Sequence, residues 1–220
     1  KENKSCLYLV LLEDQNVEVE VALDLDENPK KGKLPKEIGL LTNLEQLICS
    51  NNYLTTLPKE IGQLKKLKRL DCFNNQLTAL PKEIGQLINL TEFSCDRNKL
   101  NVLPKEIGLL RKIKKLKCGT NRLTDLPKEI GQLRNLKKLF CDSNQLTALP
   151  KEIGQLKNLE RLHCQSNRLS SLPQEIGQLK KLNDFFGMRN PFKSIPSELT
   201  NFLKKLKYGY SKEIEKIIRY

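Results

Sequence analysis

The side chains with the most chemical potential in this chain are its cysteines and its one histidine. Seven Cys occur in 220 residues, and six of them, Cys49, Cys72, Cys95, Cys118, Cys141 and Cys164, recur every 23 residues. A row of thiols invites disulfide pairing, metal binding or redox chemistry. The fixed spacing argues for a packing role instead, because a thiol behaves as a small hydrophobe when one is set in each structural repeat. Stacked parallel strands hold neighbouring Cβ atoms near roughly 4.7 to 4.9 Å, farther apart than the roughly 3.8 Å of a disulfide. Thiols in a straight line also fail to converge into the tetrahedron zinc requires. His163 is the sole His; Asp142 and Asp184 fall diagonally from it, at most a weak surface metal site. No nucleophile, base and oxyanion donor converge. Catalytic residues, a metal and a cofactor are therefore not expected.

The elements that position these residues follow from the period. Each unit reads Leu-x-x-Leu-x-Cys-x-x-Asn-x-Leu-x-x-Leu-Pro-x-Glu-Ile-Gly-x-Leu-x-x, as in Leu67, Leu70, Cys72, Asn75, Leu77, Leu80, Pro81, Glu83, Ile84, Gly85 and Leu87. A period in the range of roughly 20 to 50 residues marks a solenoid, whose units bury their apolar faces only against one another. The Leu-x-Cys step alternates with period 2 and predicts a short strand. Because the same half-turn recurs, successive strands run parallel. An inward Asn at 52, 75, 98, 121, 144, 167 and 190 has both donors and an acceptor for backbone groups freed where the chain leaves the strand. Leu-Pro followed by Glu suits the first turn of a helix, and the Gly that follows stops it, so short helical or 3₁₀ pieces are expected on the outer face.

The totals agree with an elongated single domain. Hydrophobic residues make up 38% and charged residues 30% of the chain, natural for a narrow apolar ribbon between solvated faces. Net charge is +13, and residues 1–30 hold three Lys and eight acids, so the remainder carries +18. The Lys at 36, 59, 82, 105, 128 and 151 recurs once per unit and reads as a solvated face. No run of 18 or more apolar residues exists, so no membrane span is expected. Residues 1–33 read as an N-terminal cap with the alternating Val17, Val19, Val21, Leu23, Leu25 and a degenerate first repeat. Residues 34–203 are the repeats, and 204–220 a C-terminal cap helix in which Ser211 precedes Ile214, Ile217 and Ile218.

The pattern Leu67-x-x-Leu70-x-Cys72-x-x-Asn75-x-Leu77 resembles the leucine-rich repeat consensus, and Leu-Pro-Lys-Glu-Ile-Gly-Gln-Leu is most similar to the repeat proteins of pathogenic spirochaetes. The resemblance implies an α/β horseshoe with a concave parallel β-sheet and short helical or 3₁₀ segments on the convex side. It also leans towards a secreted or surface bacterial protein that engages host proteins, whereas the free thiols suit a reducing, cytoplasmic compartment, and buried thiols would survive either. Cys in place of the usual Leu is the chain's one departure from that pattern.

Variation among the repeats then locates the surface. Framework positions hardly change, whereas three outward strand positions change freely. Phe140, His163 and Phe186 fall side by side, with Met188 close by and Lys138 and Arg161 beneath. Arg69, Phe73, Lys115 and Lys117 complete the candidate partner-binding set. Exposed aromatics and Arg on a polar sheet mark a protein-binding patch. A second reading is polyanion binding through Arg69, Lys115, Lys117, Lys138 and the basic C-terminal end. Acids share that face and no nucleic-acid motif appears, so nucleic acid is not an expected partner. A homo-oligomer paired through the N-terminal edge strand is a further expectation.

Overall fold

The computed structural model describes residues 20–22 and 33–206. Most of the expected N-terminal cap, the degenerate repeat before Lys33 and the helix after Ser211 lie outside the described residues. Among the described residues eight three-residue strands form: β1 (Glu20–Ala22), β2 (Gln46–Ile48), β3 (Arg69–Asp71), β4 (Glu92–Ser94), β5 (Lys115–Lys117), β6 (Lys138–Phe140), β7 (Arg161–His163) and β8 (Asp184–Phe186); β2 to β7 are each centred on the first framework residue of a Leu-x-Cys step and end one residue before its Cys. They make one parallel sheet in chain order. Leu70 pairs with Phe93 and Phe93 with Leu116, so identical repeat positions stand in line. Val21 stands opposite Leu47.

The ladder outruns the strands. Cys49 N–H donates to Asp71 O and Asn51 N–H to Phe73 O, each at 2.8 Å. Where it ends, the buried Asn takes over. Asn75 Nδ2 donates to Cys49 O at 2.8 Å and Cys72 O at 3.2 Å, and its Oδ1 accepts from Leu54 N–H at 2.9 Å. The residue before each of these Asn is left-handed: Asn51, Asn74, Arg97, Thr120, Ser143, Ser166 and Arg189 all have φ between 49° and 57°.

Each return path is a five-residue 3₁₀ segment, from Lys36–Leu40 to Gln174–Gln178. The Pro stands one position earlier than a first-turn proline would. Pro81 is extended, with φ −65° and ψ 144°, and its carbonyl accepts the first turn's bond from Ile84 N–H at 3.0 Å. Gly at the turn's fourth position is a matter of clearance: a Cβ on Gly108 would lie 2.6 Å from Glu129 O in the next coil. The last outer segment is different. It is an α-helix, α1 (Ser197–Lys204), which buries Leu199 and Leu203 against the preceding 3₁₀ turn.

Between the sheet and the outer turns runs one column of buried Leu, Ile and Cys, with Phe93 and Phe185 as its largest members. Fully burying such side chains contributes roughly 1.5 to 3 kcal/mol each. Every unit obtains this only from its neighbours. The scaffold thus frees the outward strand positions from any packing duty.

Candidate interaction surface on the concave sheet

The parallel register sets Phe140, His163 and Phe186 abreast at the third position of β6, β7 and β8. Strand spacing lets their rings meet edge to face. Phe140 and His163 have centroids 4.7 Å apart at 87°, and His163 and Phe186 4.6 Å apart at 74°. Such geometry places the positive edge of one ring on the negative face of the next. The row is half-buried, not the fully exposed patch the sequence suggests, because the three rings cover one another.

Asp184 fixes the row from beneath. It is 7% exposed, and its Oδ1 meets His163 Nε2 at 3.3 Å while its Oδ2 meets Arg161 Nε at 3.5 Å. Of the two carboxylates the sequence offers to His163, the contact falls to Asp184. Among the described residues no three His, Cys, Asp or Glu side chains converge on a metal-sized position. Lys117 continues the aromatic row onto β5, opposite Phe140, and Lys115 pairs in register with Lys138. The candidates Lys115, Lys117, Lys138, Phe140, Arg161, His163 and Phe186 thus form one continuous surface across β5–β8. Met188 follows β8 and is half-buried.

Arg69 and Phe73 stand apart from that surface, at β3. Arg69 Nη2 lies 3.5 Å from Asp71 Oδ2, and the Phe73 ring is capped by Arg97, whose Cζ is 5.5 Å from its centroid. A shallow recess links the two ends, walled by Arg69, Asp71, Glu92, Ser94, Lys115 and Lys117. Lys115 Nζ sits 3.8 Å from Glu92 Oε2 across it. Arg97 is a contact that sequence reasoning missed. Its left-handed φ of 51° sets it in that place, and a repeat pattern carries no sign of backbone handedness.

Asp96 is a second such residue. Its Oδ1 accepts from Gly119 N–H at 2.7 Å and its Oδ2 from Ser94 Oγ at 3.3 Å. Burial pushes its carboxyl up to about 6; the Gly119 N–H and Lys117 oppose this, while Asp142 adds to it. The lack of a side chain at Gly119 makes room for Asp142 on the other side: a Cβ there would lie 2.9 Å from Asp142 Oδ1.

The thiol column lies just under this face. All six are free and buried. Cys49 donates to Cys72 Sγ at 3.5 Å, and that bond, then burial, holds the Cys72 thiol well above its ordinary range. Burial does the same at Cys95, Cys118 and Cys141 and pushes Cys164 up to about 12. Thiols kept protonated and dry are poor nucleophiles and poor metal ligands.

Comparison with known proteins places this architecture. A family profile described as leucine-rich repeat region matches residues 22–118 and 94–208. No curated protein sequence matches significantly. Among solved structures, a leucine-rich repeat protein of Leptospira interrogans is 28% identical, with 85% of this chain and 72% of that one covered and a TM-score of 0.56. The plant peptide hormone receptor RGFR1 in complex with RGF2 is 33% identical over 77% of this chain and 28% of that one, with a TM-score of 0.70. YopM, a leucine-rich effector protein from Yersinia pestis, is 27% identical over 71% of this chain and 41% of that one, with a TM-score of 0.60. The chain spans well under half of the plant receptor and of YopM. No helix among the described residues is long and apolar enough to cross a membrane. With the profile spanning nearly every repeat and the solenoid built as that profile implies, the chain belongs to the leucine-rich repeat family.

Proposed function

We propose that this chain is a non-enzymatic protein-binding module whose partner lies across β5–β8. The observation that carries the reading is the Phe140–His163–Phe186 stack, held by Asp184 and flanked by Lys117, Lys138 and Arg161. Aromatic and Arg side chains dominate binding energy when a partner desolvates them. Here they are already ordered by one another, so less side-chain entropy remains to be lost on binding. The likeness to a peptide hormone receptor in complex and to an effector protein supports the reading. The Leptospira and Yersinia likenesses support its bacterial version, in which the module is secreted or surface-borne and meets a host protein.

On the same face the charge balance favours a protein over a polyanion. Arg69, Lys115 and Arg161 each have a carboxylate within 3.5 to 3.8 Å, and Asp96 and Asp142 lie beyond them. A partner with an apolar or aromatic anchor for the stack and acidic groups for Lys117 and Lys138 fits best.

The test is affinity capture with the full chain, followed by measurement of each captured protein against Phe140→Ala, Phe186→Ala and Arg161→Ala combined. Loss of two or three central anchors should weaken binding by about 100-fold or more, at roughly 2 kcal/mol or above for each hot-spot side chain. Unchanged affinity of the triple variant for every captured protein refutes the reading.

A further inference from the structure

The chain's surplus positive charge is concentrated away from the concave face. On the flank that leads into each strand, three outward positions per unit precede β2 to β8, at 65, 66 and 68 for β3 and their equivalents elsewhere. Those positions hold eleven Lys or Arg and two carboxylates, and all eleven cations are exposed. The opposite flank, at 76, 78 and 79 and their equivalents, holds four cations and one carboxylate. Uneven composition alone could be a solvated face. What the cations bind to within the protein says more.

Eight of the eleven donate to neutral oxygens. Arg111 and Arg134 each fork onto one Gln of the next unit, through Nη1 to its backbone O at 2.9 Å and through Nη2 to its Oε1 at 3.0 and 3.1 Å. Lys65 and Lys157 reach the same Gln position at 3.1 and 2.9 Å. Lys66, Lys112 and Lys181 each donate at 2.7 Å to an Asn one unit earlier, and Lys180 donates to Gly177 O. Among the described residues, only Lys68 and Lys137 of the eleven meet carboxylates, Glu45 and Glu160. Amide oxygens hold these side chains in place without cancelling their charge. The result is an ordered row of rungs roughly 5 Å apart, net positive before β3, β5, β6 and β8 and neutral before β4 and β7.

We infer that this flank is a binding site for an extended sulfated polysaccharide, a function separate from protein capture on the concave sheet. A chain bearing anionic groups along its length can neutralise successive rungs and release counterions as it does so. Ordered guanidinium groups with spare donors suit oxyanions that can accept two hydrogen bonds at once. The alternatives fit less well. Single-stranded nucleic acid gains much of its affinity by stacking bases on aromatic side chains, and the flank positions carry no aromatic residue. A protein partner would need a desolvated apolar centre, and the flank's large exposed apolar residues are Leu40 at one end and the separate pair Ile88 and Leu109.

Heparin oligosaccharide serves as the probe, measured against the full chain by calorimetry at several salt concentrations. Binding is expected at 50 mM salt and should weaken by about 100-fold or more by 200 mM, as counterion release requires when several charges are neutralised. Arg111→Gln, Lys112→Gln, Arg134→Gln and Lys157→Gln together should reduce affinity at least about tenfold and flatten the salt dependence. Lys82→Gln, Lys105→Gln, Lys128→Gln and Lys151→Gln remove the same charge from the convex turns and should leave affinity within about twofold, because they lie off the row. No heparin binding at 50 mM salt, or equal loss in the two quadruple variants, overturns the proposal. So does tighter binding of an oligonucleotide or of poly-glutamate of matched charge. None of these outcomes depends on the concave surface, whose triple variant should bind heparin as the unaltered chain does.

Discussion

Replacing Asp96 by Asn should stabilise the protein at neutral pH and leave it unchanged in acid. The carboxyl is displaced from 3.8 to about 6, chiefly by burial, so the native state holds its proton more tightly than the unfolded chain does. Stability from this group is therefore full below about pH 4 and is lost as pH rises through about 6, the reverse of a salt-bridged carboxylate. At 1.36 kcal/mol per unit, the displacement amounts to about 3 kcal/mol lost by pH 7. An Asn keeps the oxygen that accepts from Gly119 N–H at 2.7 Å and carries no charge to desolvate. It should recover about 1 to 3 kcal/mol at pH 7 and almost nothing at pH 4, where Asp96 is itself neutral. Urea denaturation of both proteins from pH 4 to 7.5 measures this, and subtracting one curve from the other removes groups that titrate alike in both. A difference that stays constant across that range, or that favours Asp96 at pH 7, refutes the argument that burial outweighs Gly119 and Lys117.

Three further outcomes follow from the scaffold. Asn98→Leu strands the buried Leu77 N–H, now bonded to Asn98 Oδ1 at 2.9 Å, and takes one donor each from the carbonyls of Cys72 and Cys95, which keep Asn75 and Asn121; at roughly 1 to 3 kcal/mol for an unsatisfied group, the urea midpoint should fall by the equivalent of at least about 1 kcal/mol. Thr120 has φ 49°, costly for a β-branched residue but tolerated by Asn; Thr120→Asn should raise stability by about 1 kcal/mol in the same assay. The six column thiols, buried and held protonated, should react with an aromatic disulfide reagent only at the rate of unfolding, and rapid labelling of any one of them in the native protein contradicts the packing role.

The fold was legible because the framework positions hardly vary. Leu67, Leu70, Cys72, Asn75 and Gly85 can each be assigned a role from spacing and chemistry, and the register then places Phe140 beside His163 without further information. What remained hidden depended on backbone handedness and on burial within the sheet face. Arg97 reaches Phe73 because its own φ is positive, which a polar residue between variable neighbours does not announce. Asp96 is set apart by its bond to the Gly119 N–H of the next unit, a backbone contact that its residue type does not announce. Aromatic exposure was overread for a similar reason: a row of isolated Phe would stand clear, whereas Phe140 and Phe186 each lean on His163.

Within this single chain, the flank shows which contacts between units matter. Lys65, Arg111, Arg134 and Lys157 each donate to a Gln 21 residues further on. Where the basic position is instead Ile88, the position 21 residues on is not Gln but Leu109, and both side chains are about half exposed, at 55% and 48%. Donor meets acceptor and apolar meets apolar, although either pair would leave the strands and the core as they are. A basic residue opposite Leu109 would lose its anchor, and a Gln opposite Ile88 would stand without a basic donor, as Gln63 does opposite Thr42. The cations of this flank are therefore part of the stacking between repeats, and their charge is displayed from side chains whose position the neighbouring coil already determines. A surface of that kind differs from a loose lysine fringe in having lost much of its side-chain freedom before any ligand arrives, which is why position on the row, and not net charge, should decide what binds there.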